Sequence, residues 1–242
     1  RHAYVDLADP ETLGFRYVRW FADASAGLVA ERSGDVDVLH IGGGGFTFPR
    51  YLAARAPASR HVVLELDGDV LEIARSELGF RPSEQIDVRI GDARLGIRRV
   101  PADAVDLVVG DAFGSLSVPW HLTTREFVGE IDRVLRPDGL YLMNLIDGAG
   151  LRFARAEAAT LRTVWPHVAM LATDSALAGT GGGNVVLLGS HQPIDAAALR
   201  NRLADRGDLS TDLLAGDALD AYVDGAPVLT DDYAPVDQLL VR

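Results

Sequence analysis

Short apolar runs alternate with stretches of helical period along most of the chain, and turn residues separate them. The clearest unit is Val36 to Phe48, VDVLHIGGGGFTF, in which an apolar run of strand length ends in the glycines Gly42 to Gly45. A helical pattern follows, with Pro49 in its first turn and Pro57 stopping it after Arg55. His61 to Leu66 (HVVLEL) predicts a second buried strand, and Asp69 to Leu78 a helix with Val70, Ile73, Ala74 and Leu78 facing inward. Ile86 to Ile90 and Val105 to Val109 predict two more strands, closed by Gly91-Asp92 and Gly110-Asp111. A loop rich in small residues, Ala112 to His121, comes next. Thr123 or Thr124 can then cap a helix carrying Phe127, Ile131, Val134 and Leu135 on one face; Arg136 to Gly139 ends it, and Leu140 to Leu145 is a fifth strand.

Elements flank this series on both sides. Ahead of it, Leu13, Tyr17, Trp20, Phe21 and Leu28 fit an amphipathic helix covering one side of a sheet. Beyond it, 150–164 reads as a helix, and 195–204 as a surface helix. Between those two, Val168 to Leu171 and Val185 to Leu188 read as strands joined over a mobile hairpin tip at Gly179 to Gly183. Strands alternating with helices predict an α/β, Rossmann-like architecture, with a mostly parallel sheet covered on both faces. Right-handed crossovers bring the carboxyl ends of the parallel strands to one rim. With no repeat, low-complexity tract or linker, residues 1–242 read as one domain.

Composition narrows the chemistry. A hydrophobic content of 48% with 24% charged residues is that of a folded globular chain. No apolar run approaches the ~20 residues that spanning a bilayer requires, and no basic segment followed by an apolar stretch opens the sequence, so the cytoplasm is the expected location. Cysteine is absent, which excludes disulfides, thiolate nucleophiles and Cys-ligated metals. Lysine is absent as well, which excludes a Schiff-base or P-loop lysine. The net charge of −12 would repel nucleic acid and favour cationic ligands. His2, His40, His61, His167 and His191 show no metal-ligand spacing, so no metal is expected.

Gly42, Gly43, Gly44 and Gly45, Glu65, Asp92 and Asp111 all fall at strand ends, and the predicted topology therefore sets them along one rim. Each alone describes only a tight turn or a solvated loop end. Together they describe a nucleoside site: glycines let backbone approach a ligand, and the acid after the second strand is placed to accept hydrogen bonds from ribose hydroxyls. Asp92 would sit beside the base. The dinucleotide fingerprint GxGxxG fails, because Thr47 stands sixth from Gly42 and Phe48 sixth from Gly43.

These pieces resemble the spermidine synthase (polyamine aminopropyltransferase) family within the class I S-adenosylmethionine-dependent methyltransferase fold. The matching segments are Ile41-Gly-Gly-Gly44, Leu64-Glu-Leu-Asp67, Ile90-Gly-Asp-Ala93, Val109-Gly-Asp111, Thr124-Arg-Glu-Phe127 and Val134-Leu-Arg-Pro-Asp-Gly139, spread over 36–146. The ending Leu229-Thr-Asp-Asp-Tyr-Ala-Pro235 is similar to that of bacterial spermidine-synthase-like proteins, some of them fused to membrane transporters. The resemblance implies a mostly parallel seven-stranded sheet with a C-terminal antiparallel strand pair. It also implies S-adenosylmethionine or its decarboxylated form as co-substrate, and an amine or polyamine acceptor. Glu65 would then bind the ribose, Asp92 with Ala93 the adenine, and Gly42 to Gly45 the sulfonium side chain, while Asp111 falls on the family's catalytic acidic position. An N-terminal β-hairpin region that lids the site and supports oligomers, such as a homodimer, is either absent or outside these residues.

Two departures weigh on how far the activity carries over. The family's glycine loop reads GGGDGG, and Gly45 stands at its aspartate; the family's second acid, three residues after the catalytic one, is Gly114 here. Both family carboxylates help hold amino groups of the two substrates. Aminopropyl transfer is the family expectation, a methyltransferase that accepts intact S-adenosylmethionine is the alternative, and a catalytically lapsed nucleoside-binding module is a third reading. Trp120 could wall an acceptor site and His121 act as a base, or both could serve loop packing and capping. Asp231 and Asp232 could return to the rim and replace the missing carboxylates, or form a cap or surface turn.

Overall fold

The computed structural model describes residues 4–114 and 117–240. Residues 115 and 116 of the predicted small-residue loop, and His2, lie outside the described residues. The strands are β1 (Asp37–Ile41), β2 (Arg60–Glu65), β3 (Ile86–Ile90), β4 (Val105–Gly110), β5 (Leu135–Asp147), β6 (His167–Thr173), β7 (Gly183–Ser190) and β8 (Thr211–Ala215). They form one sheet in the order β3-β2-β1-β4-β5-β7-β6-β8. The first five are mutually parallel, while the β5–β7, β7–β6 and β6–β8 pairs are antiparallel.

Helices α1 (Arg16–Glu31), α2 (Thr47–Arg55), α3 (Gly68–Ser76), α4 (Ala93–Gly96), α5 (Arg125–Val134), α6 (Arg152–Leu161), α7 (Asp174–Leu177), α8 (Ala196–Asp205), α9 (Asp217–Val223) and α10 (Val236–Leu240) complete the element order. Alternation along the strands decides which face each helix covers. Leu39 and Ile41 of β1 pack with Phe127 and Ile131 of α5 and Ala154 and Leu161 of α6. Val38, on the opposite face, packs with Trp20 and Phe21 of α1, Leu52 of α2 and Leu199 and Leu203 of α8. Both faces are thus covered at β1 and β4, as their apolar runs require, while the edge strand β3 is buried only at Ile86. Among the described residues, no helix is long and apolar enough to cross a membrane.

The sheet has eight strands where seven are expected. The extra one is β8, whose sequence TDLLA offers only Leu213 and Leu214 as a signal, and Leu213 alone of its residues is buried. Its order comes from backbone pairing with β6, which no local pattern announces. In α3 Leu71 and Ala74 are buried and Val70, with Leu78 beyond the helix end, packs against them, while Ile73, expected inward, is 55% exposed. β5 begins at Leu135, before the expected turn, and residues 136–139 form an irregularity between the Val105–Leu135 and Leu107–Leu140 pairs. The glycine cluster before β7 packs rather than protrudes at Gly182, where a Cβ would stand 2.4 Å from the Asp147 carbonyl oxygen.

Gly189 of β7 lies under the indole of Trp165, and a Cβ there would stand 2.3 Å from the ring. Trp165 is 1% exposed and has no room to retreat. Gly189→Ala is therefore expected to destabilise the fold by about 1–3 kcal/mol through overpacking, measured as a lower denaturant midpoint at unchanged slope.

Candidate active site

β1 runs into a turn that only small residues can make. Gly42 has φ +93° and Gly44 φ +49°, and Phe46, the residue before α2, is also left-handed at φ 54°. Gly42 must be glycine for a second reason: a Cβ there would stand 2.5 Å from the carbonyl oxygen of Asp111. The Asp111 amide donates to the Ile41 carbonyl at 2.8 Å, so the chain leaving β4 is drawn tightly against the chain leaving β1.

Glu65 ends β2 with its carboxylate turned under the glycines. Gly43 N–H donates to Oε2 at 2.7 Å, Gly44 N–H to the same oxygen at 3.3 Å, and Asp67 N–H to Oε1 at 2.9 Å. A carboxylate offers about four acceptor positions, so Glu65 fixes the turn and keeps capacity for a hydroxyl donor. Asp92, after β3, uses Oδ1 to cap α4 through Leu95 N–H at 3.1 Å, and Oδ2 faces His121 Nε2 at 3.2 Å.

Asp111 is held from two sides. The Tyr17 hydroxyl of α1 donates to Oδ2 at 3.0 Å and Asn144 Nδ2 of β5 donates to Oδ1 at 2.8 Å; Asn144 Oδ1 in turn accepts from Asn184 Nδ2 at 3.0 Å. Burial pushes the Asp111 carboxyl up to about 6, against the opposing effect of the hydrogen bonds from Asn144 and Tyr17. Burial and the adjacent carboxylate drive the Tyr17 phenol well above its ordinary value, so it remains a donor.

Gly42 to Gly45, Glu65, Asp92, Ala93, Asp111 and His121 all line one cavity of about 680 Å³ at the carboxyl rim. Three of the expected acceptor-site residues do not. Trp120 is half exposed, with its ring edge-on to His121. Asp231 is spent on a clamp: its carboxylate pairs with Arg94 and accepts from the Thr124 hydroxyl at 2.7 Å, and its amide donates to Glu126 Oε2 at 3.0 Å. Burial acts against ionisation of Asp231, but the Thr124 and Arg94 hydrogen bonds prevail and hold its carboxyl below the usual range. Arg94 also donates to the His121 carbonyl at 2.7 Å, so this clamp carries the His121–Asp92 contact. Asp232 is exposed beside it. Both aspartates lie in the turn between Thr230 and Tyr233.

Other residues of the cavity were not evident from spacing. Tyr17 reads as one more apolar position of an amphipathic helix. Asn144 is the exception with a signal, an amide in the otherwise apolar Leu-Met-Asn-Leu of β5, and it is 1% exposed. His40 lines the cavity and is hydrogen-bonded, not merely packed: its Nε2 lies 3.0 Å from His61 Nδ1, and His61 Nε2 lies 2.8 Å from Ser59 Oγ. Since the Ser59 hydroxyl gives its proton to the Ala56 carbonyl, His61 Nε2 is the donor to Ser59 and His40 Nε2 the donor to His61. Burial pushes both imidazoles down, His61 to about 4, and they are neutral near pH 7. Among the described residues no cluster suited to a metal ion occurs.

Residues 39–143 match the family described as Methyltransferase domain. The chain is 35% identical to the polyamine aminopropyltransferase of Vibrio vulnificus over 164 residues, 67% of this chain and 52% of that protein. It is 27% identical over 120 residues to the eEF1A lysine and N-terminal methyltransferase of Danio rerio, 46% of this chain and 17% of that protein. Among solved structures, a probable spermidine synthase from Corynebacterium glutamicum matches with a TM-score of 0.84 and 28% identity, over 94% of this chain and 84% of that one. The fold is that of the class I methyltransferases. Within that fold the chain is a spermidine synthase-like protein. It spans about half the length of the Vibrio relative.

Two outcomes test this geometry. Asp111 holds its proton to higher pH in the folded state, about 6, than the ordinary carboxyl near ~3.9 of an unfolded chain. The folded state thus binds more protons between these values, and stability falls as pH rises through that window. Asp111→Asn is expected to remove this slope and to raise the denaturation midpoint above pH ~6 relative to the parent, but not at pH ~4. Tyr17→Phe, which deletes a donor to the ionised form, is expected to move the Asp111 titration upward, read by carboxyl-carbon NMR. Separately, Asp231→Ala strips Arg94 of its carboxylate and is expected to cost about 1 kcal/mol, since the pair is partly exposed; a denaturant titration measures it.

Proposed function

We propose that the chain is an S-adenosyl-sulfonium-dependent aminopropyltransferase acting on a small amine. The observation that carries this reading is the charge of the cavity. Its lining has the carboxylates Glu65, Asp92 and Asp111 and, among the described residues, no arginine, and the chain has no lysine. Such a lining fits a cationic nucleoside and a cationic acceptor, and it offers no arginine or lysine to an amino-acid carboxylate. The fit extends to shape, since the cavity volume is in the usual range for small-molecule sites and the glycine turn leaves backbone open where a side chain would stand.

In this reading Glu65 accepts from the ribose hydroxyls, and the Asp92–His121 contact borders the nucleobase. The sulfonium, when bound, supplies an activated carbon. Asp111 receives the acceptor's ammonium, aligns the amine and accepts its proton, and its carboxyl near 6 keeps it mostly ionised at pH 7 yet able to take up a proton. Tyr17 and Asn144 fix both carboxylate oxygens, so orientation is set before substrate arrives.

The second reading is methyl transfer from intact S-adenosylmethionine, favoured by the methyltransferase-domain match and by glycine at both Gly45 and Gly114. Calorimetric titration with S-adenosylmethionine, its decarboxylated form and methylthioadenosine separates the two. Decarboxylated S-adenosylmethionine is expected to bind roughly tenfold or more tightly than the intact compound. Preference for the intact compound supports the methyl reading, and binding of none of the three refutes a nucleoside site. Asp111→Asn is expected to lower turnover by about 10²-fold or more while nucleoside binding persists.

A further inference from the structure

The acids of the cavity are unevenly placed. Glu65 and Asp92 follow β2 and β3, on one side of the glycine turn, and both are engaged, by backbone amides and by His121. Asp111 follows β4, on the other side. From there the cavity wall is ring after ring. Tyr17, whose hydroxyl holds Asp111, has its ring centroid 6.1 Å from Phe15 and 5.7 Å from Phe21; Phe21 is 5.4 Å from Phe48, and Phe48 is 6.2 Å from His40. Phe113, two residues past Asp111, joins the lining. His40 brings no charge, because its burial, and next the charge interaction with His61, leave it neutral. The polar groups adjoining Asp111, Asn144 and Asn184, are amides already bonded to one another.

We infer that the acceptor is a primary amine with a single charge and an apolar, arylalkyl-type body, and not a polyamine. This inference rests on the nucleoside-site reading above. One carboxylate meets one ammonium, and the aromatic wall takes the rest of the molecule. The distal ammonium of a diamine would lose its water in this lobe and find no second carboxylate among the described residues, at a desolvation cost that the rings offset only in part. Gly114 is the place where a second carboxylate has room: among the described residues a Cβ there meets nothing nearer than Pro119 Cγ at 3.8 Å, and its backbone is not left-handed.

The test uses the whole chain saturated with methylthioadenosine and titrated by calorimetry with phenethylamine or with diaminobutane. Phenethylamine is expected to bind at least roughly tenfold more tightly. Gly114→Asp is expected to tighten diaminobutane and leave phenethylamine little changed, narrowing that ratio. If methylthioadenosine itself does not bind, the nucleoside reading fails and this inference fails with it. If it binds but diaminobutane binds as tightly as phenethylamine, or neither amine binds, the inference alone is overturned.

Discussion

The close passage of two backbones at the carboxyl rim governs the rest of this molecule. Where β1 becomes the glycine turn and β4 becomes Asp111, the Asp111 amide bonds the Ile41 carbonyl, and no Cβ fits between them at Gly42. That contact fixes where Asp111 stands relative to the turn. Glu65 then locks the turn from the other side through the amides of Gly43 and Gly44. A nucleoside-sized opening bounded by open backbone on one edge and carboxylates on the other follows from these few bonds, and a side chain at Gly42 would force the two chains apart.

Keeping an acid at such a place is costly to the fold. Asp111 is desolvated, and the two hydrogen bonds it receives only partly offset this, leaving its carboxyl near 6. A chain selected for stability alone would put an amide or an apolar residue there. The donors that hold it are distant in sequence, Tyr17 from α1 and Asn144 from β5, and both reach it from the α1 side of the sheet. By contrast, the acid that keeps its charge easily, Asp231, is the one that clamps α4 to α5 and stays away from the cavity.

Much of the fold and rim was legible in the residues, for reasons that are physical. Parallel strands buried on both faces must be largely apolar, and β1, β2 and β4 carry the runs Val38-Leu39, Val62-Val63-Leu64 and Leu107-Val108-Val109; the acids and glycines that follow fall on one rim by topology alone. What escaped was whatever depended on partners distant in sequence. β8 takes its order from β6, Ile73 of α3 faces outward, and Tyr17 gains its meaning only when α1, packed on β5 and β7, brings it to Asp111. The direction of the Asp231 side chain is set by Arg94 and Thr124, which no spacing rule connects to it.

The Arg94–Asp231 clamp also bears on when the site can exist. Its partners are 137 residues apart, and Leu229, fully buried, ties the same strap to α6 through the Thr160 hydroxyl and to the start of α5 through the Arg125 amide. Closing so long a loop costs entropy that only the late contacts return. During synthesis the glycine turn, Glu65, Asp92 and Asp111 all emerge well before residue 229, yet the loop holding His121 against Asp92 lacks its tether until the strap arrives. A nascent chain therefore carries the glycine turn and Asp111 before His121 is tethered, and that end of the cavity is completed only once residues 229–231 are in place.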